Sequence, residues 1–272
     1  MFVVNDFNFS YANCVIFYLA LSFIFGSAVG SFLNVVIDRI TQGGSILHPL
    51  RSYCDHCKTP LNVLDLVPVI SFVGMGAKCR YCKKPISWQY PIVETSVATL
   101  FTLAFWVLSQ RGILSIGYLG YWFILISVLV VVATVDFKFS LIPTTFVFFA
   151  SLVALFFTYF TNDSAIFIEH VLAAFAAGLF FLLIVILTRG RGMGQGDIVL
   201  AFLMGMVLGG SGLLASLFMG FMSGAVVSVV LLIAGKKKLG QTVPFAPFLV
   251  FGFLTSLFWG KELIEIYFRM LY

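Results

Sequence analysis

The sequence predicts an all-α polytopic membrane protein of about eight transmembrane helices with a small cytoplasmic zinc-ribbon-like insertion. Three observations carry that expectation. Of 272 residues, 61% are hydrophobic and 10% charged, and the mean hydropathy is +1.09, far outside the range of soluble domains. The apolar residues fall in runs close to the ~20 needed to cross a bilayer as a helix. One long polar stretch, 38–91, interrupts them and carries two paired-cysteine motifs.

Taken in order, the apolar spans are 14–37, 92–108, 113–135, 144–161, 165–188, 198–208, 213–234 and 243–259. Residues 1–13 contain no Lys or Arg, which argues against a cleaved secretory signal, since such signals open on a basic segment. Cys14 reads as a small packing residue of the first span. The span 198–208 is the weakest, because at ~1.5 Å per residue it falls short of a ~30 Å hydrocarbon core. Charge placement supports it nonetheless. With eight crossings, Arg39, Arg51, Lys58, Lys78, Arg80, Lys83, Lys84, Lys138, Arg189, Arg191, Lys236, Lys237 and Lys238 share one side, 13 of the 16 basic residues. Dropping the short span weakens the bias to 10 against 6, so the positive-inside rule favours eight, with both chain ends outward. The net charge of +5 is therefore read as topology. No arginine-rich tail or basic and aromatic strip points to nucleic acid.

Two acids stand out. Asp136 closes the third span and Asp197 opens the sixth, so both fall on the cytoplasmic side and can meet. A carboxylate near lipid costs roughly 2.5–3.5 kcal/mol on insertion scales and normally marks a functional site. Asp136 leads into Ile142-Pro143, where the proline stops the helix. Asp197 ends Gly194-Gln195-Gly196-Asp197, after a glycine-rich approach whose backbone tolerates close packing. Taken singly, Asp197 also reads as a helix cap, and Asp136 as a solvated helix end paired with Lys138. Two carboxyl groups brought together share a proton, leaving one anion to activate water and one acid to polarise a scissile carbonyl. No HExxH motif occurs, and His48, His56 and His170 are scattered.

Cys54-Asp55-His56-Cys57 is followed, 21 residues on, by Cys79-Arg80-Tyr81-Cys82. Paired CxxC units at about this spacing suit one tetrahedral zinc, and a reducing cytoplasm keeps the thiols available. A disulfide or redox site is the alternative. Four cysteines complete a site, which leaves His56 a bystander. A polar segment this short buries little core of its own, so a metal is expected to hold two short hairpins together. Seven basic residues against Asp38, Asp55 and Asp65 suit anionic lipid headgroups, and a solvated loop explains them equally.

Together these residues resemble the bacterial type IV prepilin peptidases, membrane aspartic proteases of the GxGD class. The likeness covers most of the chain: Gly30-Ser31-Phe32-Leu33-Asn34-Val35-Val36-Ile37-Asp38-Arg39, the CxxC pairs with Pro85-Ile86-Ser87, Tyr90-Pro91-Ile92-Val93-Glu94, Asp136 with Ile142-Pro143, Gly194-Gln195-Gly196-Asp197, and Pro244-Phe245-Ala246-Pro247-Phe248. The departures from the common pattern are Val199, Ala246 and Ala98.

The resemblance implies a bifunctional enzyme of the bacterial inner membrane. It removes the short basic leader of type IV prepilins or pseudopilins at the cytoplasmic face, after a glycine and commonly before phenylalanine, and methylates the new amino terminus with S-adenosylmethionine. It further implies Asp136 and Asp197 as the catalytic pair, Gly194 and Gly196 as their motif support, and Cys54, Cys57, Cys79 and Cys82 as ligands to structural zinc. Asn34 and Glu94, polar groups beside apolar spans, are candidates near the methyl donor, or else interhelical hydrogen bonds. The organisation expected is an outward N-terminus and first helix (1–37), a cytoplasmic zinc-binding segment that is a possible methyltransferase part (38–91), and a seven-helix peptidase domain (92–272). The competing class is a cation or proton-coupled transporter, which would more often show repeated halves.

Overall fold

The computed structural model describes residues 4–41, 52–54, 56–190, 193–236 and 243–271, without the side chains of 4–14, 267, 268, 270 and 271. Arg51, Asp55, Arg191, Gly192, Lys237, Lys238, His48 and the side chain of Cys14 lie outside what is described. The long helices are α1 (Val4–Thr41), α3 (Gln89–Gln110), α4 (Ile116–Phe139), α5 (Thr144–Thr161), α6 (Ser164–Leu187), α7 (Gln195–Ile233) and α8 (Ala246–Leu271), with a short α2 (Ile70–Gly74) between the first two. Seven of these are long and apolar enough to span a membrane, so the protein is a multi-pass membrane protein. No strand occurs among the described residues.

The chain divides into two compact units, Met1–Val131 and Val132–Tyr272, the boundary falling inside α4. In the first, α1 and α3 cross at small residues. A Cβ on Gly26 would lie 2.7 Å from the Ala98 Cα, and one on Gly30 would lie 2.7 Å from the Glu94 Cα. Glycines four apart let the two backbones touch, which is how helices associate where lipid gives no hydrophobic drive. α3 begins at Gln89, three residues before the apolar span, and Pro91 sits in its first turn, where its missing N–H has no partner to lose.

In the second unit, α7 explains the discrepancy between eight expected crossings and seven helices. Helical pairing runs its whole 39 residues except at Gly209, whose φ of 67° and ψ of −173° are non-helical. Up to that point α7 runs antiparallel to α6: Phe202 meets Phe175, Gly205 lies against Ala174, and the Met206 carbonyl meets the His170 ring. Beyond it the direction reverses. Phe221 comes back to within 6.3 Å of Phe181, whereas a straight helix would carry it roughly 30 Å away at ~1.5 Å per residue. The second arm then pairs with α8, through Gly212 with Ser256, Gly220 with Leu249 and Gly224 with Phe248.

The α7 helix is thus a hairpin of two arms, 195–208 and 210–233, so seven helices supply eight apolar arms, the number the sequence predicts. The expected four-residue connection, 209–212, is replaced by one residue. Its freed groups are recovered by α6: His170 Nδ1 lies 2.9 Å from the Met206 carbonyl, and Glu169 Oε1 accepts the Gly210 N–H at 3.0 Å.

Candidate active site

Asp136 lies in the last turn of α4 and is 6% exposed, so it is not a solvated helix end. The helix closes behind it when Ser140, at φ 52°, donates its N–H to the Asp136 carbonyl at 2.8 Å. The Asp136 carboxylate reaches another part of the unit: its Oδ2 accepts the main-chain N–H of Ala246, the first residue of α8, at 3.0 Å. Asp136 therefore caps a helix other than its own.

Asp197 is the third residue of α7, 5% exposed, and its Oδ2 accepts the Gly194 N–H at 3.0 Å. The capping role expected of it is real and uses only one oxygen. Oδ1 is buried without a hydrogen-bond partner among the described residues. Asp197 lies in the same compact unit as Asp136 and within electrostatic reach of it. Each presents one oxygen to the amide of a helix start, an arrangement that fixes both carboxyl planes. A buried, unpartnered carboxylate oxygen beside a second carboxyl group suits proton transfer to and from a bound water.

The two glycines before Asp197 differ. A Cβ on Gly196 would lie 2.5 Å from the Ile142 Cβ, so only glycine lets Ile142 seat against the start of α7. Gly194 has φ −80° and ψ 156°, open to any residue, and a Cβ there would meet nothing closer than Asp197 Oδ2 at 3.5 Å. Its contribution is the amide. Sequence reasoning singled out residues 244–248 as a motif but missed the Ala246 amide. The helix-start proline at Pro247 was the available signal.

In the first unit, the Sγ atoms of Cys54, Cys57, Cys79 and Cys82 all lie within 4.8 Å of one another, and the thiols are free. Cys54 and Cys82 are 3.9 Å apart. Ligands ~2.3 Å from a tetrahedral zinc stand ~3.8 Å from each other, whereas a disulfide needs ~2.05 Å, so the donor set fits the metal.

The knuckles are built alike. The Cys54 N–H meets the Thr59 carbonyl and the Cys79 N–H that of Lys84, while Lys58 at φ 57° and Lys83 at φ 60° return their N–H groups to Cys54 and Cys79. Single antiparallel bridges, Tyr53 with Pro60 and Lys78 with Pro85, stand for the two expected hairpins. Hydrogen bonds from Thr59 hold the Cys57 thiol down to about 6. The Lys84 backbone lowers Cys82, but desolvation and the neighbouring thiols outweigh it and push that thiol up to about 11. Such a crowd of thiols holds protons unevenly until a cation displaces them. Asp65 ties the knuckle to the turn before α2, accepting Tyr81 Oη at 3.0 Å and pairing with Arg80 Nε at 2.9 Å. His56 is exposed and outside the cluster.

Asn34 and Glu94 are buried at 1% and 7% exposure. Asn34 Nδ2 donates to the Gly30 and Tyr90 carbonyls, and its oxygen accepts Gln89 Nε2 at 3.2 Å. Glu94 Oε2 accepts the Val69 N–H at 2.7 Å. Both hold chain to chain.

Two family models match in series. Residues 24–108 match the bacterial peptidase A24 N-terminal domain, and residues 123–229 match the type IV leader peptidase family. A Bacillus subtilis (strain 168) protein named prepilin leader peptidase/N-methyltransferase is 34% identical over 253 residues, covering 93% of this chain and 98% of the relative. Proteins of the same name from Legionella pneumophila and Aeromonas hydrophila are each 27% identical, covering 90% and 92% of this chain and 92% and 93% of their own. No solved structure matches the chain.

Proposed function

The chain belongs to the type IV leader peptidase family, and from that premise we propose that it is an aspartic endopeptidase that removes the basic leader of type IV prepilins or pseudopilins at the cytoplasmic face of the bacterial inner membrane. Asp136 and Asp197 are the reacting pair. The observation that carries this reading is the burial of both carboxylates in one unit, each held by a helix-start amide, with Asp197 Oδ1 left unpartnered.

In the proposed step, one carboxylate takes a proton from water as its oxygen attacks the scissile carbonyl carbon. The other carboxyl group gives its proton to the carbonyl oxygen. Collapse of the tetrahedral intermediate breaks the C–N bond, and the leaving nitrogen takes up a proton from the pair. The substrate's hydrophobic helix stays in the bilayer and its charged leader in water, which is why the protease is itself a membrane protein.

Methylation of the new amino terminus, with S-adenosylmethionine as donor, completes the activity by kinship with relatives that carry both names. Zinc held by Cys54, Cys57, Cys79 and Cys82 orders the segment between α1 and α3. Asn34 and Glu94 already engage the chain's own groups, and no methyl-donor contact is assigned to them. The transporter alternative finds no support among the relatives.

The test is purified enzyme with a prepilin and labelled methyl donor, read by mass. Leader loss plus one methyl group is expected. Asp136→Asn and Asp197→Asn should each abolish cleavage; leader removal at the parental rate by either variant refutes the dyad.

A further inference from the structure

The insertion between α1 and α3 leaves large apolar side chains in the open. Val63 is 77% exposed, Leu64 63%, Ile70 72%, Val73 71% and Trp88 68%. They lie on a single 3-10 turn, Val63–Asp65, on α2 and at the start of α3. A patch of this kind marks a surface that something covers.

Its depth identifies what covers it. α3 has 22 residues, ~33 Å at 1.5 Å each, barely more than a ~30 Å hydrocarbon core, so nearly all of it is needed to cross. Glu94 is its sixth residue, ~7 Å along the axis. Glu94 Oε2 accepts the N–H of Val69, the residue before α2, at 2.7 Å. That bond holds α2 level with the second turn of a spanning helix rather than above it.

Val69 takes φ 60° and ψ −49°, a tight γ-turn costly for a β-branched residue, and its N–H is the one that Glu94 accepts. A groove of about 620 Å³ runs between α2 and α3, lined by Val69, Phe72, Val73, Trp88, Ile92 and Thr95. Ile92 is itself 59% exposed on the spanning helix, so the patch continues a lipid-facing surface.

Charge agrees. Lys58, Lys78, Lys83 and Lys84 are exposed, and Asp65, the sole carboxylate of residues 56–88, is buried against Arg80. An apolar face edged with lysine on a segment held beside a spanning helix matches an interfacial element under anionic headgroups.

We propose that residues 63–73 form a re-entrant amphipathic element embedded in the leaflet at the start of α3, with Val63, Leu64, Ile70 and Val73 among the acyl chains and the knuckle lysines at anionic lipid headgroups. The cysteine cluster is thereby moored to the membrane surface rather than hung in water. This inference is independent of the peptidase reading.

The test places the full chain in vesicles of phosphatidylcholine and phosphatidylglycerol. Trp88, Trp106, Trp122 and Trp259 are changed to Phe, Val73→Trp is introduced, and retained zinc serves as the folding control. Lipid brominated near the glycerol end should quench this tryptophan severalfold more than acrylamide in the water does. Free quenching by acrylamide with no effect of bromine overturns the proposal, and shielding from both, which means a protein cover, overturns it too. The unaltered chain gives a second measurement. In nanodiscs of the same lipids, hydroxyl radicals should oxidise Leu64 and Ile70 severalfold more slowly than Tyr81 once each rate is divided by the intrinsic reactivity of its side chain, and equal normalised rates overturn the proposal.

Discussion

The main-chain N–H of Ala246 donates to Asp136 Oδ2 at 3.0 Å, joining residues 110 apart in sequence. This one bond ties the end of α4 to the start of α8 and sets the plane of the carboxyl group. Ala246→Pro removes the donor at a helix start that otherwise tolerates proline. A hydrogen bond to a charged group contributes ~1.5–3 kcal/mol, so kcat/KM for leader cleavage should fall roughly tenfold to a hundredfold. Ala246→Gly keeps the amide and should stay within about threefold of the parent. Equal losses in both variants would show that the methyl group, not the donor, matters.

The contact between Gly196 and Ile142 separates the two motif glycines. Gly196→Ala forces a Cβ to 2.5 Å from Ile142 and should destabilise by ~1–3 kcal/mol and cut cleavage strongly. Gly194→Ala meets only Asp197 Oδ2 at 3.5 Å, an ordinary contact, and keeps its amide, so near-parental activity is expected. Ile142→Ala should restore part of the activity to Gly196→Ala, a rescue that a purely conformational need for glycine would not allow.

At Gly209 the backbone angles belong to a region almost closed to other residues, and a Cβ would lie 3.0 Å from His170 Nε2. Gly209→Ala should lower stability by ~1–3 kcal/mol, read as a drop in thermal midpoint in detergent. Gly210→Ala, whose nearest contact is 3.4 Å, should change it little.

The reversal at that glycine also has a topological consequence. A phosphatase that is active only after export, fused after Gly210, should be active, and fused after Gly235 it should be silent. Activity at both positions would mean that α7 crosses once.

Metal analysis of the purified chain should find one zinc per protein. Cys54→Ser and Cys79→Ser should each lose it, since three thiolates and a hydroxyl bind zinc far more weakly than four thiolates. Parent protein free of zinc after preparation without chelators would remove the metal from the fold.

Much of this was legible in the chain because it is local. Runs of apolar residues report spanning helices directly, since lipid cannot satisfy an unpaired backbone. The asymmetry of Lys and Arg reported eight crossings where helix counting alone finds seven. The CxxC spacing reported a tetrahedral thiol set, because each knuckle folds from its own few residues.

Other features needed the folded coordinates. The Ala246 amide on Asp136, the seat of Ile142 on Gly196 and the one-residue turn at Gly209 each join distant segments, and no sequence window holds both partners. Residues 38–91 read as one polar stretch, although Leu61, Val63, Leu64, Leu66, Val67, Val69, Ile70, Phe72 and Val73 lie within it. Glu94 changes that reading by fixing Val69 beside a spanning helix. The sequence by itself determined which segments are apolar enough to span, which thiols gather and which acids are present, since hydrophobic transfer and knuckle formation depend on near neighbours. Tertiary structure alone decided which amides hold those acids and where α2 sits along α3, because hydrogen bonds and glycine contacts act over a few ångströms between parts of the chain that only folding brings together.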